Sequence, residues 1–346
     1  MPSIDALRPA PPMVVGPITK KATRPSHPLS QWLIDGARVD RKEVFDAKRD
    51  LNFQPPNGIT TMREIGLEGH GISPVAASEP FPLFTPDAIK QMRAEIFSEP
   101  VLKDCQYSSS FAKNMIRGMG QGRAPFTCDA WSSSELQAIV SQVAGVDLVV
   151  AFDYEIANIN ISVNEDASAV ATVQDEPDTS AFAWHYDSFP FVCVTMLSDC
   201  SDMVGGETAI RTPAGEIKKI RGPAMGTAVV MQGRYLEHQA LKAQGGRERI
   251  SMVTPFRPRD PSIRDELVLT GSRAISNWSE LYHGFTEYRL ELLEERIRLK
   301  LREERKRVDT KCPFSVTGMT EFLAAQKDFL EATIAELTEV EEMDSC

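Results

Sequence analysis

The chain has 346 residues, 42% of them hydrophobic, a net charge of −11 and a pI near 5.1. That length allows two average domains or one large β-barrel domain with helical additions, and the acidic balance speaks against nucleic acid or an anionic membrane surface as partner. No apolar run reaches about 18 residues, so no membrane span is expected, and six cysteines without metal or disulfide spacing read as reduced thiols of a cytoplasmic protein.

Residues 1–28 carry Pro9, Pro11, Pro12 and Pro28 with little period, and read as a flexible or wrapping arm. Residues 29–145 read as a helical and mixed support region. A short amphipathic helix is expected around Trp32 to Lys48, and Pro55-Pro56-Asn57-Gly58 is a turn. Thr85-Pro86-Asp87 has the order of an N-cap, a first-turn proline and an acidic first turn, followed by an apolar stripe of Ile89, Met92 and Ile96. A further helix is expected from Ser134 to Ala144, with Gly145 ending it.

Residues 146–260 change character, to short apolar runs separated by Gly and Pro turns. Alternation puts Asn158, Asn160 and Ser162 on one face of a strand and Ala157, Ile159 and Ile161 on the other. The polar face is either solvated or turned inward to hold a ligand. The stretch 164–180, polar and rich in Asp, Ser and Ala, is a lid or an ordinary surface loop. Then come Trp184-His185-Tyr186-Asp187, a strand from Val192 to Leu197, a Gly205-Gly206-Glu207-Thr208 turn, a strand from Gly226 to Met231, His238, and Arg249-Ile250-Ser251. On an extended strand His185 and Asp187 share a face, with Tyr186 opposite and turned to the core. Two histidines and one carboxylate are the ligand set that holds a non-haem Fe(II) on one face. Zinc could use the same ligands with an open fourth position.

This order of H-x-D, Gly-Gly-x-Thr, Gly-rich strand, distal His and R-x-S resembles the iron(II)/2-oxoglutarate-dependent dioxygenase superfamily, with a diffuse likeness to fungal-type members. The likeness is specific over about 184–257 and weaker over 150–165. It implies a mainly β fold: a double-stranded β-helix of the jelly-roll or cupin kind, with N-terminal buttressing helices. It implies His185, Asp187 and His238 as metal ligands, Arg249 on the far carboxylate of 2-oxoglutarate, and Ser251 as its hydroxyl helper. Arg247, two residues earlier on the same face, is the rival to Arg249. Because Asp187 is an acidic ligand, hydroxylation, desaturation or ring formation is favoured over halogenation. Asn158 is assigned to 2-oxoglutarate, and Asn160, Phe189 and Arg211 to substrate. Arg234 and Arg257 are further candidates for a substrate carboxylate, or are solvated.

Residues 261–346 form a C-terminal helical extension. Leu290, Leu293, Ile297 and Leu301 recur at helical spacing from Asn277 to about Val308, Pro313 breaks the run, and a last helix is expected around Thr320 to Glu341. These helices either pack on the barrel or form a homodimer interface, the latter being favoured. The expectation is therefore a cytoplasmic oxygenase using Fe(II), 2-oxoglutarate and O2 on a small metabolite, such as an amino acid or a secondary-metabolism intermediate. A prolyl- or lysyl-type protein hydroxylase, a zinc hydrolase and a silent scaffold are the alternatives.

Overall fold

The computed structural model describes residues 9–16, 23–26, 28–109, 113–163, 184–200, 203–220, 224–241, 243–244 and 246–339. The loop 164–180, read as a lid or an ordinary surface loop, lies outside the described residues.

Helices come first as a buttress: α1 (Gln31–Gly36), α2 (Ala47–Asp50), α3 (Pro86–Ile96), α4 (Glu99–Asp104), α5 (Gly120–Arg123), α6 (Pro125–Ser132) and α7 (Ser134–Ala144). The single helix expected at 32–48 is two short ones. Gly36 weakens the first run, and Asp46, whose side chain accepts from Lys48 N at 2.9 Å, caps a new start. Helix α3 is capped by Thr85 as its sequence requires, with Oγ1 accepting from Ala88 N. Helix α7 stops at Gly145, whose φ of 67° a side chain would strain. Two long helices end the chain, α8 (Trp278–Asp309) and α9 (Val316–Glu336).

The strands are β1 (Ile59–Thr61), β2 (Val75–Ser78), β3 (Phe81–Pro82), β4 (Gln106–Tyr107), β5 (Met115–Ile116), β6 (Leu148–Val150), β7 (Asn158–Val163) and β8 (Phe191–Met196). They continue as β9 (Val204–Gly205), β10 (Thr208–Arg211), β11 (Ile217–Ile220), β12 (Thr227–Met231), β13 (Glu237–Ala240), β14 (Ala243–Gln244) and β15 (Glu248–Pro258). The major sheet runs β1-β2-β12-β8-β15-β7-β5-β4, with β3 beside β12 and β6 beside β15; a minor sheet runs β11-β10-β13. Every pairing is antiparallel.

Strand parity decides the two faces of the major sheet. Ile159, Ile161, Cys193, Val230, Ile250, Met252 and Phe256 form one core with Leu33, Ile89, Met92, Trp131 and Val140 of the buttress. Trp131 is fully buried, edge-on to Phe84 and Phe256, and its indole N–H reaches Met252 Sδ. The opposite face meets the minor sheet: Val192 and Met231 cluster with Ile210, Tyr235 and Leu236. Two antiparallel sheets packed face to face, one flanked by helices, make the double-stranded β-helix layout.

The first turns of α8 close one end of this unit. Leu281, Phe285 and Tyr288 pack with Phe152, Tyr154 and Phe189. Helix α9 returns along α8, where Phe329 lies under Arg289, its ring 3.6 Å from the guanidinium carbon. The inner part of the hairpin thus packs on the β unit, while Ile297, Leu301 and Leu323 stay exposed. Among the described residues no helix is long and apolar enough to cross a membrane.

Candidate metal centre and its cavity

His185 and His238 come from distant points of the chain and meet through a two-way backbone bridge, His185 N to His238 O at 2.9 Å and His238 N to His185 O at 3.0 Å. Their rings lie 4.3 Å apart. Asp187 follows in irregular backbone rather than on the expected strand, which begins only at Phe191. Its amide is anchored to Gly233 O at 3.0 Å. The approach at Gly233 is very close, since a Cβ there would lie 1.8 Å from Asp187 Oδ2. Only glycine leaves room for this carboxylate.

One oxygen of Asp187 stands 3.5 Å from His185 Nε2 and 3.6 Å from His238 Nε2, and one ligand atom from each residue falls within a 4.8 Å cluster. His238 Nδ1 lies 2.8 Å from Leu236 O, which can only accept, so Nδ1 carries the proton and Nε2 presents its lone pair to the cluster. Burial lowers the pKa of His238, reinforced by His185 and opposed by Asp187. For Asp187, burial alone would raise the pKa, but His238, His185 and Arg234 together hold it below the ordinary carboxylate value. A neutral imidazole beside an ionised carboxylate is the state in which these side chains bind a divalent metal. The donor set fits Fe(II), and it fits Zn(II) equally well.

The cluster opens on a cavity of about 210 Å³ between the two sheets. Cross-strand register arranges its wall. Arg249 sits opposite Ser162, Ser251 opposite Asn160 and Met196, and Val253 opposite Asn158 and Val194. Arg249, Ser251, Asn158, Asn160 and Phe189 all line the cavity. Arg249 is half-buried and has no acidic partner among the described residues; its Nη2 is 3.4 Å from Gly206 O. Burial pulls its pKa down, with Cys200 opposing. Arg247 is exposed, with its guanidinium carbon 3.9 Å above the Trp32 ring, and does not line the cavity.

Several expectations are corrected. Arg211 is not part of the wall: it pairs with Glu237 at 3.1 Å and stacks 4.0 Å over Trp184. Arg234 is buried and bonded to Glu266 O and Pro12 O, and Arg257 donates to Ala151 O. Tyr186, expected in the core, lines the cavity, because residues 186–190 lie outside any strand and strand parity does not apply to them.

Other wall residues carry no signal in the sequence. Val14 and Val15 reach the cavity from the arm, which is tied down where Pro12 O accepts from Arg234. Arg117 follows β5 and lines the wall beside Asn158. Its Nη2 lies 2.7 Å from both oxygens of Glu155, a carboxylate with no exposed surface. A lone Arg and a lone Glu, 38 positions apart, show no spacing that would have joined them.

A scan of protein-family models finds no match, and a search of curated proteins finds none. Solved structures resemble the chain over about half its length. AviO1 from Streptomyces viridochromogenes Tue57 is 16% identical with a TM-score of 0.37, over 54% of this chain and 92% of that one. HygX from Streptomyces hygroscopicus, solved with nickel, 2-oxoglutarate and hygromycin B, is 13% identical with a TM-score of 0.33, over 53% and 83%. A prolyl-4-hydroxylase from Pseudomonas putida is 16% identical with a TM-score of 0.30, over 51% and 89%. Likeness this distant bears no weight for the chemistry, which rests on the residues described above.

Proposed function

We propose that the protein is a non-haem Fe(II)/2-oxoglutarate-dependent oxygenase that oxidises a C–H bond of a small metabolite. The observation that carries this reading is a pairing within one cavity. A His-Asp-His cluster within 4.8 Å shares its wall with Arg249, a half-buried cation without an acidic partner among the described residues. A buried cation is costly unless an anion meets it. A zinc hydrolase would use the three ligands and leave Arg249 without a task.

His185, Asp187 and His238 would hold the metal on one side, leaving the other side to ligands from the cavity. Arg249 would take the far carboxylate of 2-oxoglutarate by charge-assisted hydrogen bonds, with the Ser251 hydroxyl beside it. When bound, Fe(II) with 2-oxoglutarate supplies O2 activation coupled to oxidative decarboxylation, yielding succinate and CO2. Asp187 completes the ligand set with a carboxylate, which favours hydroxylation, desaturation or ring closure over halogenation. Val192, Val194, Val253 and Met231 line the same space and limit the water admitted to it.

The direct test is succinate formation from 2-oxoglutarate with Fe(II) and O2, with and without a panel of free amino acids. Substrate-stimulated succinate is the expected result. Stimulation only by a prolyl- or lysyl-containing peptide would move the reading to a protein hydroxylase. No succinate from an iron-loaded protein in any mixture would overturn it.

A further inference from the structure

We propose that the outer side of the α8–α9 hairpin is a homodimer surface, on which a second copy of this chain packs antiparallel, α8 on α8 and α9 on α9. The surface lies apart from the metal site and owes nothing to its chemistry.

Two apolar stripes mark it. Leu290, Ile297, Leu301 and Val308 on α8, and Val316, Leu323, Leu330 and Ile334 on α9, are each 41–75% exposed. At about 100° per residue, each set of four falls within roughly 40° of one line along its helix. Leu281, Phe285 and Tyr288, which pack toward the β unit, lie about half a turn round α8 from its stripe.

The two helices touch through a third face. The Phe329 ring centre lies 3.6 Å from the Arg289 guanidinium carbon and 4.4 Å from that of Arg296, and the Phe322 ring centre 5.9 Å from Lys300 Nζ. On each helix these contacts sit about 100° from the stripe. Because α9 runs antiparallel to α8, both stripes then turn to the same side. The hairpin is a two-helix layer, one side toward the β unit and the other apolar and uncovered among the described residues. A helix with an apolar stripe buries it against another element, and here that element must come from outside the chain.

Spacing says that it is a second copy. The intervals along the α8 stripe are seven, four and seven residues, the same read from either end. A two-fold axis crossing α8 at residue 299 sets Leu290 opposite the partner's Val308, and Ile297 opposite the partner's Leu301. The Phe322 and Phe329 contacts put Leu323 level with that point. Leu323 therefore meets the partner's Leu323, and Val316 meets the partner's Leu330. A two-fold interface requires such a self-complementary patch, and an unrelated partner would require no internal symmetry.

Charge selects the antiparallel direction. Residues 278–295 of α8 hold five acidic groups and one basic, whereas residues 296–309 hold seven basic and three acidic. Exposed Glu287, Glu291 and Glu294, followed by exposed Arg298, Arg302 and Arg305, line one flank of the stripe. An antiparallel partner sets the acidic half of each α8 against the basic half of the other, with Glu294 beside the partner's Arg305. A parallel partner would set like charge on like.

The area suffices. Each stripe spans about 27 Å, and two helices side by side present a face about 20 Å wide, or about 540 Å² per copy. The total of about 1,100 Å² clears the roughly 1,000 Å² of a specific interface and fits a micromolar dimer.

Sedimentation equilibrium from about 1 to 100 µM tests this on the intact chain. The expected mass rises toward twice the 38.4 kDa of one chain. Leu301→Glu, at an exposed position, should keep its helix content by circular dichroism and raise the dimer Kd at least about tenfold. Leu323→Cys should form an intermolecular disulfide on mild oxidation, above the background of the native thiols. Leu290→Cys should not, since its two copies stand about 27 Å apart. A wild-type chain that stays monomeric across that range overturns the proposal, as does a Leu301→Glu variant that dimerises as strongly as wild type. Failure of Leu323→Cys to cross-link, or cross-linking at Leu290→Cys, overturns the antiparallel register.

Discussion

Gly233 and Asp187 show how narrow the tolerances are at the scale of single residues. Asp187 Oδ2 occupies the space that a Cβ on residue 233 would need. Gly233→Ala should push the carboxylate away from the two histidines and lower Fe(II) affinity roughly 10–100-fold, the range found when a partner that orients a metal ligand is disturbed. Calorimetric titration with metal checks this, and unchanged affinity in a folded variant would mean that Asp187 does not bind the metal. Arg249 and Arg247 are separated in the same way. Arg249→Gln should raise the 2-oxoglutarate requirement roughly 10–100-fold, the loss expected for a hydrogen bond to a charged group. Arg247→Gln, removed from a ring stack outside the cavity, should leave that requirement unaltered. The opposite order in a succinate assay would reverse the assignment.

Individual elements show where periodicity informs and where it stops. The 3.6-residue repeat of α8 is legible in Leu290, Leu293, Ile297 and Leu301, yet the part of the helix that docks is the earlier Leu281–Leu292 stretch. What holds the hairpin there is a set of polar contacts that no period encodes. Arg289 pairs with Asp265 at 2.9 Å, both almost wholly buried, and its Nη2 donates to Phe329 O at 2.8 Å. Removing one partner of a buried ion pair strands the other charge, so Arg289→Leu should destabilise the protein by about 3–5 kcal/mol. Urea unfolding measures it, and a loss below about 1 kcal/mol would mean that water reaches Asp265. Strand parity was more informative than helical period. It separated Asn158 and Asn160 from Ile159 and Ile161, as β7 does, and failed at Tyr186, where the backbone leaves the strand.

For the molecule as a whole, the site's buried charges set how stability responds to acid. His238 has its pKa below the ordinary 6.5 because burial disfavours the imidazolium. Below that pH the unfolded chain takes up a proton that the folded chain refuses, so stability rises with pH across this window. Asp187, held below 3.8 by its neighbours, adds a contribution that is complete above 3.8 and lost below it. The metal-free protein should therefore lose Tm as the pH falls below about 6.5, and His238→Gln should flatten that slope. A wild-type Tm that stays level down to about pH 5 would contradict the burial of His238.

Short-range chemistry was legible without coordinates. The order of residue types, through the family resemblance it carries, singled out His185, Asp187 and His238, which the fold brings within 4.8 Å, and Arg249, which lines the cavity beside them. Glycine, proline and capping residues marked where α3, α7 and α8 begin or end, since their backbone preferences act locally. Tertiary structure alone decided which polar groups have partners. Arg211 is spent on Glu237, Arg247 on Trp32 and Arg234 on the arm, whereas Arg249 faces the cavity. Arg117, Glu155 and Asn158 become a hydrogen-bonded cluster only when β5 pairs with β7. A side chain's free valence depends on who stands opposite it across a sheet. That is fixed by register and packing between distant segments, which leave no period in the chain.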